Sequence, residues 1–308
     1  MEHYNRIEEF KRPDVPLVMT IGNFDGIHPG HQRVIHQTVS QARSIHGRSV
    51  VLTFSNHPSE ILPGKSPVLP ICTPLHKIAL LEQLEVDYLI QIPFTLEFSQ
   101  QTAEEFILSL RKSVPFKHLI LGYDARFGKN RSGDRETIKQ LSSSEGFSTE
   151  YLEKVEIHGR TVSSSNIRLA IIDGNFNEVE NLLGRPYSIL STVIKGKQIG
   201  RKLGYPTANI DVANLCLPPL GVYAVYLKFD QKMFPGVANL GIAPTLKNSQ
   251  SPTFEVFLFD HVSDLHGKSV ELFPLKFLRN EVHFPSVNAL QEQIRSDINQ
   301  ANLYFKSR

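Results

Sequence analysis

Gly22-Asn23-Phe24-Asp25-Gly26-Ile27-His28-Pro29-Gly30-His31 separates an apolar run, Val15 to Ile21, from a stretch of helical period that opens at Gly30 and closes at Gly47. A strand, a glycine-punctuated turn and a helix start in succession leave backbone N–H groups unsatisfied and attractive to anions. Glycine lets such a turn approach a polyphosphate closely. The His-x-Gly-His pattern adds two imidazoles near the start of one helix. There they can hold the oxygens of a phosphorus in a crowded, charge-rich transition state. Gly22, Asn23, Phe24, Asp25 and Gly26 are therefore assigned to a phosphate-binding turn, and His28 and His31 to the reacting centre.

Outward from this turn the pattern alternates between short apolar runs and helical stretches up to about residue 184. The expected strands are Val15 to Ile21, Ser49 to Phe54, Tyr88 to Ile92 and His118 to Leu121, rich in Val, Ile and Leu as buried parallel strands are. Thr102 and Glu105 form a capping box ahead of Phe106, Ile107, Leu108 and Leu110. Short helices are expected over 165–173 and 177–183, with Gly184-Arg185-Pro186 as a linker. Ser55 to Pro74 carries five prolines and reads as a long loop beyond a strand end, where an open α/β sheet takes its ligand. Beyond the linker, Tyr187 to Ile194, Val222 to Phe229, Phe254 to Phe259 and Val270 to Phe277 read as antiparallel strands. Leu290, Ile294, Ile298 and Ala301 recur at helical spacing. The fold class is α/β, with a first domain over 1–184 and a small antiparallel β-barrel with a terminal helix over 185–308.

The 308 residues suit two domains, and 41% apolar with 21% charged residues excludes disorder. A net charge of +2 gives no electrostatic footprint for a nucleic-acid partner. Cys72 and Cys216 are too few and too far apart for a disulfide framework or a cysteine zinc site. No secretory pattern opens the chain and no membrane-spanning run occurs, so a cytoplasmic protein without a membrane association is expected. No obligatory protein partner is evident.

Two further segments suit phosphate chemistry. Ser163-Ser164-Ser165 with Arg168 offers hydroxyls, a helix start and a guanidinium fork, although a serine-rich cap with an exposed arginine has the same composition. Lys195 to Asn209 is neither a P-loop nor a dinucleotide fingerprint. It is a basic segment spaced by Gly196, Gly200 and Gly204, able to cover phosphates, and it ends in Pro206-Thr207-Ala208-Asn209. Thr207 and Asn209 carry oxygens suited to Mg²⁺, which keeps several waters and needs few protein ligands. A basic hairpin with a proline turn is the plainer reading of the same residues.

The first half resembles the nucleotidylyltransferases of the HIGH superfamily. More narrowly, Thr53 to Pro58, Gly122 to Gly128, Arg131 to Asp134 and Ser163 to Arg168 resemble the FAD synthetase module of bacterial riboflavin kinase/FAD synthetases. The second half resembles the riboflavin kinase module through Pro206 to Asn209, Gly221 to Ala224, Gly236 to Gly241, Pro244-Thr245, Phe254 to Leu258 and Asp264 to Gly267. The resemblance departs from the family pattern at Asn56, where proline is common, at Ala125, often aromatic, and at Ala243, often arginine.

The resemblance implies a Rossmann-like adenylyltransferase domain followed by a riboflavin kinase barrel. ATP would be co-substrate with Mg²⁺, and riboflavin, FMN and FAD would be the flavins handled. It makes Glu255 the base for riboflavin phosphorylation, with Thr207 and Asn209 on the metal. In the first domain it makes His28 and His31 stabilisers of the transition state, with Ser164 and Arg168 on the departing pyrophosphate. Asn56, His57, Asp124 and Ser163 become flavin or nucleotide contacts. A nucleotidylyltransferase with a pantetheine or cytidyl acceptor would share His28 and His31 but leave the second half unexplained. A flavin-storage protein with decayed motifs would bind flavin without turnover. A tRNA-binding member of the superfamily would carry a basic excess.

Overall fold

A computed structural model describes residues 1–62, 64, 66–157, 159–196, 200, 203–244, 250–260 and 265–307. Two compact units emerge, one of Met1–Pro70 and Lys77–Ser164, the other of Ile71–His76 and Ser165–Arg308.

The first unit contains β1 (Glu2–Tyr4), β2 (Leu17–Ile21), α1 (Pro29–Ser44), β3 (Arg48–Phe54), α2 (Pro74–Gln83) from Lys77 onward, β4 (Tyr88–Ile92), α3 (Leu96–Gln100), α4 (Ala103–Ser113), β5 (His118–Leu121), α5 (Arg135–Glu145), β6 (Ser148–Tyr151) and a hairpin of β7 (Glu156–Ile157) and β8 (Arg160–Thr161). The sheet order is β1-β4-β3-β2-β5-β6, and every pairing in it is parallel. All five residues of β2 are buried, as a central strand covered on both faces requires. From β2 the chain runs outward through β3 and β4 on one side, then through β5 and β6 on the other. The strand order therefore reverses between β2 and β5, the place where such sheets bind ligands beyond their carboxyl ends. The expected strands Tyr88 to Ile92 and His118 to Leu121 match residue for residue, and Thr102 caps α4 with the anticipated box to Glu105.

The second unit continues with α6 (Ser164–Ile172), of which all but the first residue belongs here, and α7 (Phe176–Leu183). Then come β9 (Ile189–Ile194), β10 (Ala208–Asp211), β11 (Gly221–Phe229), β12 (Lys232–Pro244), β13 (Gln250–Leu258), β14 (Ser269–Arg279) and α8 (Val287–Lys306). The strands close a barrel in the order β10-β13-β12-β11-β14-β9. All pairings are antiparallel. Inside, the fully buried Tyr223 meets the Phe254 ring at 6.0 Å and the Phe277 ring at 5.2 Å. Ala301 of α8 packs with Val222, Ala224 and Val237. Arg279 grips the buried Asp297 through two nitrogens, at 2.8 and 2.7 Å.

The compact division differs from the sequence boundary at Gly184. Residues 165–183 join the second unit because their apolar faces find partners there: Phe176 lies 6.0 Å from Tyr187 and 5.9 Å from Tyr223, ring to ring. Ile71–His76 joins the same unit, and Thr73 donates to the Leu190 carbonyl at 2.7 Å. The long strand β12 escaped sequence reading because Pro235, Gly236, Gly241 and Pro244 interrupt its alternation. Gly236 is required by close approach, since a Cβ there would lie 2.4 Å from the Phe257 carbonyl oxygen.

A polar group also lies buried in this unit. Ser188 donates to Glu271 at 2.7 Å, and His76 Nε2 lies 3.8 Å from the same carboxylate. Burial, aided by the Arg185 charge, lowers the His76 pKa to about 4, so the ring is neutral near pH 7. The unfolded chain takes up this proton near 6.5 and the folded chain resists it. Stability is therefore complete above pH 6.5 and falls by about 1.4 kcal/mol per pH unit on the way to pH 4. His76→Leu is expected to flatten the decline in melting temperature between pH 7 and 5, and equal declines in variant and parent would refute this.

Candidate functional sites

In the first unit the Gly22–His31 turn is held by its carbonyls. Asn23 O accepts from Thr53 Oγ1 at 3.0 Å and from Lys77 Nζ at 2.8 Å. Asp25 O accepts from Ser164 Oγ at 3.0 Å, and Ile27 O from Gln32 Nε2 at 2.9 Å. With alternate carbonyls tied down, the turn adopts left-handed backbone even at Phe24 (φ 48°) and Ile27 (φ 39°). Non-glycine residues enter that region at a cost, which binding sites commonly carry.

His28 is the N-cap of α1, and its Nδ1 accepts a long 3.4 Å hydrogen bond from the His31 backbone N–H. A neutral ring that accepts at Nδ1 carries its proton at Nε2, which leaves a donor on the outer edge. The His28 and His31 rings stack with centroids 3.6 Å apart, and Phe24 meets His31 edge-on at 5.3 Å. Gly30 permits this, because a Cβ would lie 3.0 Å from His28 Cε1. Burial, then the charges of His28 and Lys77, hold the His31 pKa well below its usual value. Among the described residues its buried Nδ1 has no hydrogen-bond partner. Two adjacent imidazoles at a helix N-terminus can donate to phosphate oxygens.

The other expected residues of this unit divide. Asn56 is engaged with the backbone of Phe94, donating at 3.0 Å and accepting at 2.8 Å, so its amide fixes the loop after β3. His57 caps the 3-10 turn Pro58–Glu60, where Glu60 accepts from its backbone N–H at 2.8 Å. Asp124 is exposed beyond the end of β5. Ser163 and Ser164 lie at the end of the first unit, Ser164 directly on the turn, while Arg168 belongs to the second unit. Sequence reading missed Gln32 and Lys77. Their signal is polarity on helix faces otherwise directed inward, and it is indistinguishable from a solvated position without the fold.

In the second unit Glu255 on β13 pairs in register with Asn209 on β10 and with Asn239 on β12. Three polar side chains therefore stand abreast across neighbouring strands. Glu255 is exposed, whereas Asn209 is buried. Gly196 makes room for Asn209, since a Cβ there would come within 2.3 Å of its amide. A Cβ on Gly200 would lie 2.3 Å from the Tyr205 carbonyl oxygen and 3.3 Å from Thr207 Oγ1. Gly204 has φ 88°, and the Gly200 carbonyl closes the turn by accepting from Leu203 at 3.0 Å and Tyr205 at 2.8 Å. Pro206 is exposed and Thr207 half-buried. Asn239 donates to Glu281 at 2.9 Å, a carboxylate not anticipated from sequence. Residues 197–199, 201, 202, Thr245 and Asp264 from the quoted motifs lie outside the described residues, as does the side chain of Ala243.

Comparison with known proteins agrees with this division. A FAD synthetase family model matches residues 11–166, and a riboflavin kinase family model matches residues 183–305. Similar proteins include the bifunctional riboflavin kinase/FMN adenylyltransferases of Haemophilus influenzae, 36% identical with 94% of each chain covered, and of Escherichia coli, 34% identical with 95% of this chain and 94% of the relative covered. A crystal structure from Streptococcus pneumoniae, described as a macrolide-efflux protein, superposes with a TM-score of 0.80 at 29% identity, covering 97% of this chain and 98% of that one. Among the described residues of this chain no helix is long and apolar enough to cross a membrane. Two consecutive family models, and relatives matched almost end to end, place the chain in the bifunctional riboflavin kinase/FMN adenylyltransferase family.

Proposed function

We infer that the chain converts riboflavin to FMN and FMN to FAD, each step consuming ATP. The adenylyl step is assigned to residues 1–184 and the kinase step to residues 185–308. The observation that carries the reading is the presence, on one chain, of a stacked imidazole pair at the head of α1 and a carboxylate set between two asparagines on the barrel.

In the kinase step the ribityl 5′-hydroxyl attacks the γ-phosphorus of ATP. Glu255 takes the hydroxyl proton as the new O–P bond forms, and ADP leaves. Asn209 and Thr207 supply amide and hydroxyl oxygens suited to a hard cation, and Gly196 lets the backbone close against the Asn209 amide. Mg²⁺ held there would neutralise developing charge on the phosphates. Gly196, Gly200, Gly204 and Pro206 form the turn that positions the nucleotide.

In the adenylyl step an FMN phosphate oxygen attacks the α-phosphorus of a second ATP. The bond to the β-phosphate breaks and pyrophosphate departs, with no covalent enzyme intermediate. His28 and His31 donate to the non-bridging oxygens, and Gly22 to Gly26 wrap the phosphates. Ser163, Ser164 and Arg168 are assigned to the departing pyrophosphate, and Mg²⁺, when bound, would offset the remaining charge. His57 and Asp124 border the flavin or nucleotide, and Asn56 acts there by holding its loop. A cytoplasmic location belongs to the same proposal.

Purified protein given riboflavin, excess ATP and Mg²⁺ is followed by chromatography. FMN is expected to rise before FAD. FMN accumulating with no FAD, even when FMN is supplied directly, would remove the adenylyl activity, and flavin binding without either product would make the chain a binding protein.

A further inference from the structure

Lys77 has no part in the steps above, yet its burial needs a reason. It sits on α2 with 7% of its surface exposed, and its Nζ donates to Asn23 O at 2.8 Å and to Phe54 O at 3.1 Å. Asn23 belongs to the phosphate turn after β2. Phe54 is the last residue of β3, from which the proline-rich loop carrying Asn56 and His57 departs. One ammonium thus bonds the exit points of two neighbouring strands, at the carboxyl edge where the sheet presents its ligand loops.

Removing a lysine head group from water is unfavourable unless it is paired, and a methionine would fill the same space without that demand. Packing alone therefore does not account for the residue. Thr53, the β3 residue before Phe54, also donates to Asn23 O and so ties the turn to the strand, but it leaves the Phe54 carbonyl, from which the loop departs, to another donor. Lys77 makes that link.

We propose that Lys77 is a positioning residue for adenylyl transfer, holding the phosphate turn with its two histidines in register with the loop after β3. The inference rests on the reading of His28 and His31 as the adenylyl centre. Lys77 touches no reacting atom in this assignment and acts through the backbone of the turn. Loss of the clamp lets the imidazoles drift from the α-phosphorus, and a displacement of about 1 Å can cost on the order of 100-fold in rate. The ammonium also contributes to holding the His31 ring neutral.

Lys77→Met and Lys77→Arg in the full-length chain test this, with riboflavin phosphorylation by the same preparation as internal control. For Lys77→Met the expected result is a kcat for FAD formation from FMN and ATP lowered by about 10- to 100-fold. The KM for ATP should change little and riboflavin phosphorylation should be unaffected. Lys77→Arg, which keeps a cationic donor, should recover most of the loss. In NMR titrations the His31 ring of Lys77→Met should protonate at higher pH than in the parent, and that of the charge-retaining Lys77→Arg should not. The groups that face His31 there are His28 and, from α2, Lys77 itself.

A Lys77→Met kcat within about threefold of the parent overturns the proposal. Equal loss in Lys77→Met and Lys77→Arg, with phosphorylation intact, does so too. If Lys77→Met does not fold, Lys77→Gln, which retains one donor without the charge, is judged by the same criteria. His31→Ala is assayed alongside. If it keeps FAD formation, the reading of the site fails. If it loses FAD formation while Lys77→Met does not, only the role of Lys77 fails.

Discussion

His31→Ala is expected to lose FAD formation by about 100-fold or more while phosphorylating riboflavin at the parent rate. The magnitude is the usual one for removing a single preorganised donor from a transition state, about 3 kcal/mol. The geometry favours the upper part of that range. The His31 ring stacks on His28 at 3.6 Å and closes against Phe24, so alanine removes a donor and also the wall that orients its neighbour. The independence of the kinase follows from the chain's division, because Glu255, Asn209 and Asn239 belong to a barrel with its own closed hydrogen-bonding and its own core. Separate initial-rate assays, one from riboflavin and one from FMN, check both halves. Equal loss of the two activities would refute separate sites.

Glu255→Gln reverses the pattern. Glutamine keeps the shape and the hydrogen-bonding reach of the side chain but cannot accept the hydroxyl proton. Riboflavin phosphorylation should fall by about 100- to 10,000-fold, the span of general base contributions. FAD formation should persist when FMN is supplied. The flanking asparagines on both neighbouring strands place Glu255 in a row of polar side chains rather than on an isolated surface position. Unchanged phosphorylation in a variant with parental circular dichroism and melting would eliminate Glu255 as the base.

Much of the fold was legible in short, strongly patterned segments. β4 and β5 match their expected spans, and the Thr102 box starts α4 where local chemistry alone predicts it. Those signals are local: a buried parallel strand is apolar throughout, and a capping box lies within one turn. β1, of three residues, and β6, of four, carry too little pattern to stand out. β12 has ample length, but Gly236 serves close approach to β13, a tertiary demand that reads as punctuation in one dimension. The same holds for residues 165–183, which follow the first domain in sequence and pack with the second.

The site divides in the same way. The order of residues already carries the chemistry at hand: a His-x-Gly-His helix start, a Pro-Thr-Ala-Asn turn after spaced glycines, and the order of two modules, since each is a contiguous signature. Folding alone brings Glu255 between Asn209 and Asn239, engages Asn56 with Phe94 and sets Lys77 across two strand exits. Strand register and the pairing of distant carbonyls depend on contacts far apart in the chain, and no local pattern of residues encodes the partner.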